Sequence, residues 1–110
     1  MKGLPGNIQE IMRQVKRAQE LLEKKQQELA ELRIEAASGG GMVKVVANGR
    51  EEILDIKIAP EVVDPQDVGM LEDLILAALR EAKAKVKEVA QREMGGLLGG
   101  LGLPHIPGLF

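Results

Sequence analysis

The sequence predicts an α+β fold in which a long helix, a small antiparallel sheet and a second long helix follow one another along the chain. Apolar residues recur at steps of three and four in the first third of the chain and again in the last third, which is the period of an amphipathic helix. Between these segments, the stretch SGGGMVKVVANGREEILDIKI combines a triple glycine and an Asn-Gly pair with two alternating apolar runs. That combination is typical of a β-hairpin or a short meander.

The first helix is predicted over residues 7–32. Asn7 is the expected N-cap, because its side-chain oxygen can accept hydrogen bonds from the free N–H groups of the first turn. A heptad stripe, typical of a coiled coil, is interrupted only at Lys25. Its apolar members are Ile8, Ile11, Val15, Ala18, Leu22, Leu29 and Leu32.

Three strands are predicted, over residues 33–37, 42–47 and 50–58. The triple glycine would reverse the chain between the first two strands, since glycine readily adopts positive φ. The Asn-Gly pair would form a type I′ turn between the last two, because both central positions of that turn need positive φ. One face of the sheet is expected to be buried under the helices. Its members are Val43, Val45, Leu54, Ile56 and Ile58.

The second helix is predicted over residues 65–94. Asp64 would cap its N-terminus, a proline would occupy its first position, and two glycines would stop it after Met94. Residues 1–94 then form a single predicted domain. Residues 95–110, which are rich in Gly, Leu and Pro, are expected to form a flexible tail.

Composition excludes several function classes. The chain has no cysteine, and its one histidine, His105, lies close between two prolines without the orienting partner that a general base requires. We therefore expect no catalytic residue, no metal site, no cofactor and no small-molecule substrate, and the protein is predicted not to be an enzyme. The lack of a long apolar run argues against a membrane partner, and the lack of a secretory signal predicts the cytoplasm.

The aliphatic composition points to an oligomer. Phe110 is the only aromatic residue of 110, so the core must be built from smaller apolar side chains. A lone chain of this size buries only about two-thirds of its unfolded surface, and a partner chain would add to that. An edge of the small sheet could pair across a two-fold axis, which would also remove an exposed edge.

Basic residues form two clusters within a chain of net charge −2, with 15 basic and 17 acidic residues. If both helices leave the same sheet, the two clusters are expected to meet at a distal tip. Interleaved glutamates make a solvated helix surface the simpler interpretation of this pattern alone. The clusters are Arg13, Lys16 and Arg17 in the first helix, and Lys83, Lys85, Lys87 and Arg92 in the second.

Aromatic content limits the kind of nucleic acid that such clusters could bind. Without Trp or Tyr there is no stacking platform for single strands. Any contact is therefore expected to be with duplex phosphates, salt-sensitive and weakly selective for sequence.

Almost the whole chain resembles the YbaB/EbfC family of bacterial nucleoid-associated proteins. The resemblance lies in the glycine-rich turn before a V-x-V strand, the Asn-Gly hairpin, the strand end DIKIAPE, the helix segment LEDLI and the Gly/Leu/Pro tail ending in Phe. One departure is Arg80, where members often carry an asparagine.

The resemblance implies a homodimer whose sheets join at the centre and whose helices project as prongs. It also implies double-stranded DNA as partner, low sequence specificity, and a role in nucleoid organisation or gene regulation. The family's DNA contacts are attributed to the prongs, which here would point to the seven basic residues of the two clusters.

Two other function classes fit the same element order. Prefoldin-like chaperone subunits also place two long helices around a β-hairpin, and they hold unfolded chains with their helical tips. The segment GGLLGGLGLPHIPGLF could supply apolar contacts for that purpose. A protein-interaction adaptor without DNA binding would suit the acidic pI of about 5.5.

Overall fold

The structure, a computed structural model, describes residues 7–100, with side chains described as far as Leu97. Two long helices flank a three-stranded sheet, which confirms the α+β fold. The elements are α1 (Asn7–Glu31), β1 (Ile34–Ser38), β2 (Val43–Ala47), β3 (Ile53–Ile58) and α2 (Val68–Gly100), with 3-10 turns at Gly39–Gly41 and Pro60–Val62. Residues 101–110 of the predicted tail lie outside the described residues.

The sheet is an antiparallel meander in the order β1-β2-β3. Gly39, Gly40 and Gly41 all have positive φ, as expected of the turn between β1 and β2. The hydroxyl of Ser38 donates to the carbonyl oxygen of Leu74 at 2.5 Å, which ties the end of β1 to α2. This bond fixes α2 against the end of β1.

The core lies between α2 and the first two strands. Val43 and Val45 of β2 are fully buried against Ala78 and Ala82 of α2. Alanine at these helix positions lets the backbone of α2 approach the sheet closely. Because one helix is about 10 Å wide and strands lie about 4.8 Å apart, α2 covers two strands and leaves most of β3 uncovered.

The predicted buried face is therefore only partly correct. Val43 and Val45 are buried and Ile58 packs at the edge of the core, whereas Leu54 and Ile56 are 44% and 41% exposed in this chain. Ile56 lies beyond the reach of α2. Leu54 is excluded for a second reason: an irregularity in the pairing of β2 with β3 skips it, so that it lies beside Val46 on the opposite face.

The turn between β2 and β3 differs from the predicted type I′ turn. Positive φ occurs at Glu51, at 65°, and not at Asn48 or Gly49. The Asn48 N–H donates to the Glu52 carbonyl at 3.0 Å, and the Asn48 carbonyl accepts from Glu51 at 3.3 Å. The Asn48 side-chain oxygen also accepts from Arg50 N at 2.9 Å. The result is a longer loop of the three-residue class, with the left-handed residue at its end.

Glycine at position 49 allows the hairpin loop to approach the end of α1 closely, and it does not adopt a left-handed conformation. Its N–H donates to the carbonyl oxygen of Leu29 at 2.7 Å, and the Asn48 side-chain amide donates to the carbonyl of Ala30 at 3.3 Å. These carbonyls belong to the last turn of α1, where helical partners are missing. The hairpin loop therefore caps α1 and determines where that helix leaves the sheet.

Replacing Gly49 with alanine is expected to reduce the free energy of unfolding by about 1–3 kcal/mol, as overpacking of a tight contact does. A Cβ at this position would lie 2.9 Å from the carbonyl oxygen of Leu29, a backbone atom that cannot move aside alone. Urea unfolding followed by far-UV circular dichroism, at one protein concentration, measures the effect. Gly95→Ala is the control, because its Cβ would meet nothing within 4 Å and alanine favours the helix by up to about 1 kcal/mol. An unchanged unfolding midpoint for Gly49→Ala would contradict the role given to this contact.

The bounds of α2 differ from the prediction at both ends. Asp64 closes a turn by accepting from Gln66 N at 2.9 Å, and Asp67 is the residue whose carboxylate accepts from the first helical turn, from Met70 N at 3.3 Å. The helix therefore begins at Val68 and not at residue 65. At the other end it continues past Met94 to Gly100, because contact with α1 supports the segment in which glycine alone disfavours a helix.

Candidate nucleic-acid interface

The two helices run antiparallel and form an arm that projects from the sheet. The Lys25 ammonium lies 2.8 Å from the carboxylate of Glu93, and Leu21 and Leu97 line one groove between the helices. We call residues 7–28 of α1 together with residues 87–100 of α2 the arm. The longest dimension of the molecule is 78 Å, against 24 and 21 Å for the other two.

The first basic cluster lies on the arm, as expected. Arg13, Lys16 and Arg17 are all exposed on the half of α1 that is far from the sheet. Arg17 also lines the groove between the helices, together with Lys24. Sequence reasoning missed Lys24, although its spacing of seven residues from Arg17 places both on one side of the helix.

The second basic cluster does not join the first, so the expected shared tip is wrong. Lys85 donates to the carbonyl oxygen of Glu35 in β1 at 3.0 Å, and Lys83 lines a groove with Ala47 and Ile53. Both lysines are therefore level with the sheet. The cause is that α2 crosses the sheet over much of its length, so that only its later residues project.

The remaining members of the second cluster lie farther out. Lys87 is exposed at the start of the projecting part of α2, and Arg92 is exposed next to Glu93, level with Lys25 of α1. The seven candidate residues are thus distributed along the arm and the adjoining edge of the sheet instead of converging at one point.

An ion pair holds the two helices together in the middle of the arm. Lys25 lies between Glu93, at 2.8 Å, and Glu28, at 3.3 Å. The hydrogen bond to Glu93, followed by that to Glu28, raises the pKa of Lys25, and the same bond from Lys25 lowers the pKa of Glu93. Lys25 is also the residue that interrupts the heptad stripe of α1, so the interruption has a structural role.

Glu93→Gln is expected to destabilise the arm at neutral pH and to lose this effect in acid. Folding lowers the pKa of Glu93, so its carboxylate stabilises the folded state above the unfolded value of about 4.5, and this contribution disappears as the pH falls through the lowered pKa. Urea midpoints of wild type and variant should therefore converge below about pH 4.5. Glu88→Gln removes an equal charge from α2 and serves as control. Parallel curves for wild type and Glu93→Gln across the acid range would rule out this role.

A largely apolar groove separates α2 from β3. Leu79, Ala82 and Val86 form its helical wall, and Ala47 and Ile53 form its sheet wall. We refer to Ile53, Leu54 and Ile56 as the β3 edge; their side chains are between 41% and 52% exposed. Apolar exposure of this extent on an edge strand marks a contact surface.

Neither a metal cluster nor a membrane helix is found in the described part of the chain. Among residues 7–100, no three His, Cys, Asp or Glu side chains are placed to bind one metal ion. Neither α1 nor α2 is apolar enough over a sufficient length to cross a bilayer.

These features define a class of small α+β proteins in which a helical arm with exposed basic side chains projects from a sheet that has an open apolar edge. The model of the YbaB/EbfC DNA-binding family matches residues 4–101, and the chain belongs to this family.

Relatives named nucleoid-associated protein match nearly the full chain. One from Acetivibrio thermocellus is 51% identical over 98% of this chain and 94% of its own length. Another from Pelotomaculum thermopropionicum is 50% identical over 96% of this chain and 97% of its own. The crystal structure of an uncharacterized protein from Helicobacter pylori has the same fold, with a TM-score of 0.68 at 20% identity over 76% of this chain and 88% of that one.

Proposed function

We propose that this chain is a DNA-binding, nucleoid-associated protein of the bacterial cytoplasm. It acts as a homodimer, contacts duplex DNA with low sequence specificity, and contributes to nucleoid organisation or gene regulation. The observation that carries the proposal is the family match over residues 4–101, together with the names of relatives about 50% identical. The geometry of the arm supports the choice of surface.

The proposed DNA contacts begin with α1. Arg13, Arg17 and Lys24 lie on one side of this helix at spacings of four and seven residues, which correspond to about 6 and 10 Å along its axis. Successive phosphates on one DNA strand are about 3.4 Å apart along the axis of the duplex, so such a row can follow several of them. Lys16 lies beside this row and adds a further cation.

The proposed contacts on α2 fall into two groups. Lys87 and Arg92 are exposed on the arm, but their spacing of five residues places them on different sides of α2, so a duplex bound along α1 would meet only one of them. Lys85 already donates to Glu35, and Lys83 lies in the groove beside the β3 edge, so these two would act close to the sheet. A duplex held between two arms would approach that region.

Low sequence specificity follows from the chemistry of these groups. Lys and Arg side chains that contact phosphates position a protein on DNA without reading base edges. The net charge of −2 means that attraction is local to the arm, and the affinity falls with salt in proportion to the number of phosphates that the basic side chains neutralise.

The proposed homodimer uses the β3 edge. The exposed side chains of Ile53 and Ile56, and the adjoining groove along α2, form an apolar surface next to unpaired strand hydrogen-bonding groups. Pairing two such edges around a two-fold axis would bury the apolar side chains and also give the unpaired backbone N–H and C=O groups of β3 hydrogen-bond partners. It would also set two arms at a fixed separation.

One observation favours a second candidate function. Ile8, Ile11, Met12 and Val15 are exposed on the arm, and apolar residues at the tip are what a prefoldin-like chaperone would present to unfolded chains. In that case, or if the chain were an adaptor, the arm would bind protein and not DNA.

A titration of duplex DNA across about 50 to 200 mM salt tests the proposal. We expect binding whose affinity falls steeply with salt and differs little between unrelated duplexes. An absence of binding at the lowest salt would overturn the proposal. Suppression of client aggregation by the same preparation would then favour the chaperone.

A further inference from the structure

An apolar stripe runs along the outer part of α1. Ile8, Ile11, Met12 and Val15 are between 38% and 65% exposed, and the helical period places them on one side of the helix. We call these four residues the apolar stripe. No described element covers them, although four large apolar side chains in a row mark a contact surface.

The course of α2 leads toward this stripe. Lys25 is level with Glu93, and Leu21 and Leu97 meet in one groove, so each step toward the N-terminus of α1 matches a step toward the C-terminus of α2. Continuing this register places Gly100, where α2 ends, about level with Ala18. The described part of α2 therefore ends about level with the start of the stripe.

The residues that follow suit an apolar surface in composition and length. Residues 101–110, LGLPHIPGLF, lie outside the described residues; five of them are large and apolar, and none is Asp, Glu, Lys or Arg. From Ala18 to Ile8 the helix rises about 15 Å. Ten residues can span up to about 33 Å, so this segment can reach the whole stripe.

We propose that residues 101–110 of this chain bind the apolar stripe of α1. The tether makes the segment the favoured occupant, since a short connection gives an effective concentration in the millimolar range. The helical period places Arg13 and Arg17 on the other side of α1, so the bound segment leaves the basic row open. The inference is independent of DNA binding.

A single tryptophan in the full-length chain tests the proposal. The protein has no Trp or Tyr, so Phe110→Trp supplies the only indole. When residues 101–110 bind the stripe, tryptophan emission should shift to shorter wavelength, and acrylamide quenching should fall several-fold, relative to a free peptide of residues 101–110 with the same tryptophan. A second variant, Phe110→Trp with Ile11→Asp, should restore the behaviour of the free peptide. Phe110→Trp with Gln14→Asp adds equal charge off the stripe and should stay protected.

Each other outcome contradicts the proposal. Emission and quenching equal to those of the free peptide would show that the segment is not bound. Protection that survives Ile11→Asp would place the segment elsewhere. Protection that disappears on dilution would assign the stripe to a second copy of the chain. Far-UV circular dichroism of each variant verifies that α1 is retained, which is expected because Ile11 lies outside the core.

Discussion

Replacing Arg13 and Arg17 with alanine is expected to weaken binding to duplex DNA by about one to two orders of magnitude near 0.1 M salt, because each neutralised phosphate contributes about 0.9 to the slope of log affinity against log salt. Both side chains are exposed on the arm, so their removal should leave the fold unchanged. Fluorescence anisotropy of a labelled duplex, measured at several salt concentrations, gives the affinity and the slope together. The slope should become shallower by about one for each phosphate that is no longer neutralised.

The matched control is the pair Lys44→Ala and Lys57→Ala. These lysines are paired across β2 and β3 and are exposed on the face of the sheet away from α2, so the control removes equal charge at a site remote from the arm. Because Lys57 belongs to β3, sedimentation equilibrium verifies that the control has the same mass as the wild type. It should leave affinity and slope close to wild type. Equal weakening in both double variants would show that net charge, and not the arm, governs binding.

Replacing Ile56 with aspartate is expected to convert the proposed dimer to monomers. The change occurs on both sides of a symmetric contact, and about 2 kcal/mol on each side corresponds to about a thousandfold rise in the dissociation constant. Sedimentation equilibrium should then report the 11.9 kDa of a single chain where the wild type shows twice that mass. Because Ile56 lies outside the core of the chain, circular dichroism should remain that of the folded protein.

Met70→Asp is the control for this variant. Met70 is 39% exposed, much like Ile56, but the helical period places it on the other side of α2 from Lys83 and the groove. It should remain dimeric. If Ile56→Asp kept the wild-type mass, the β3 edge would not be the dimer contact, whereas a monomeric wild type would overturn the homodimer itself.

Members of the second basic cluster differ in how directly their variants would test DNA contacts. Lys83 lies in the groove beside the β3 edge, so an effect of Lys83→Ala on DNA binding could arise through the dimer. Lys87 and Arg92 are free of this ambiguity because they project with the arm. Their variants are therefore the more direct tests of contacts from α2.

The elements themselves could be predicted from the sequence, because helix period, glycine and strand alternation are local signals. The end of α2 could not. Gly95 and Gly96 each disfavour a helix by about 1 kcal/mol relative to alanine, but the segment is supported by α1, which is distant in sequence. Gly49 could not be interpreted correctly for a similar reason. Its small size allows the close approach of Leu29, which is distant in sequence, whereas the local pattern indicates only a turn.

The site was harder to predict than the fold because its geometry depends on where α2 crosses the sheet. Alternation along β3 correctly places Ile56 and Ile58 on one face, but it cannot show that α2 stops short of Ile56. In the same way, the positions of Lys83 and Lys85 along the helix do not reveal that they are level with β1 and β2. Only the packing of α2 on the sheet supplies that information.

The hairpin loop holds α1 at Leu29, so a change in the loop would tilt the whole helix about this residue. Ile8 lies about 31 Å from that point along the helix, so a tilt of about 5° at the loop would sweep the far end by nearly 3 Å. In a two-armed assembly, small changes around Gly49 would therefore alter the width of the gap between the arms without touching a basic residue. The hairpin loop would therefore set the width of the gap between the arms, whereas the basic residues of the arms would contact the DNA.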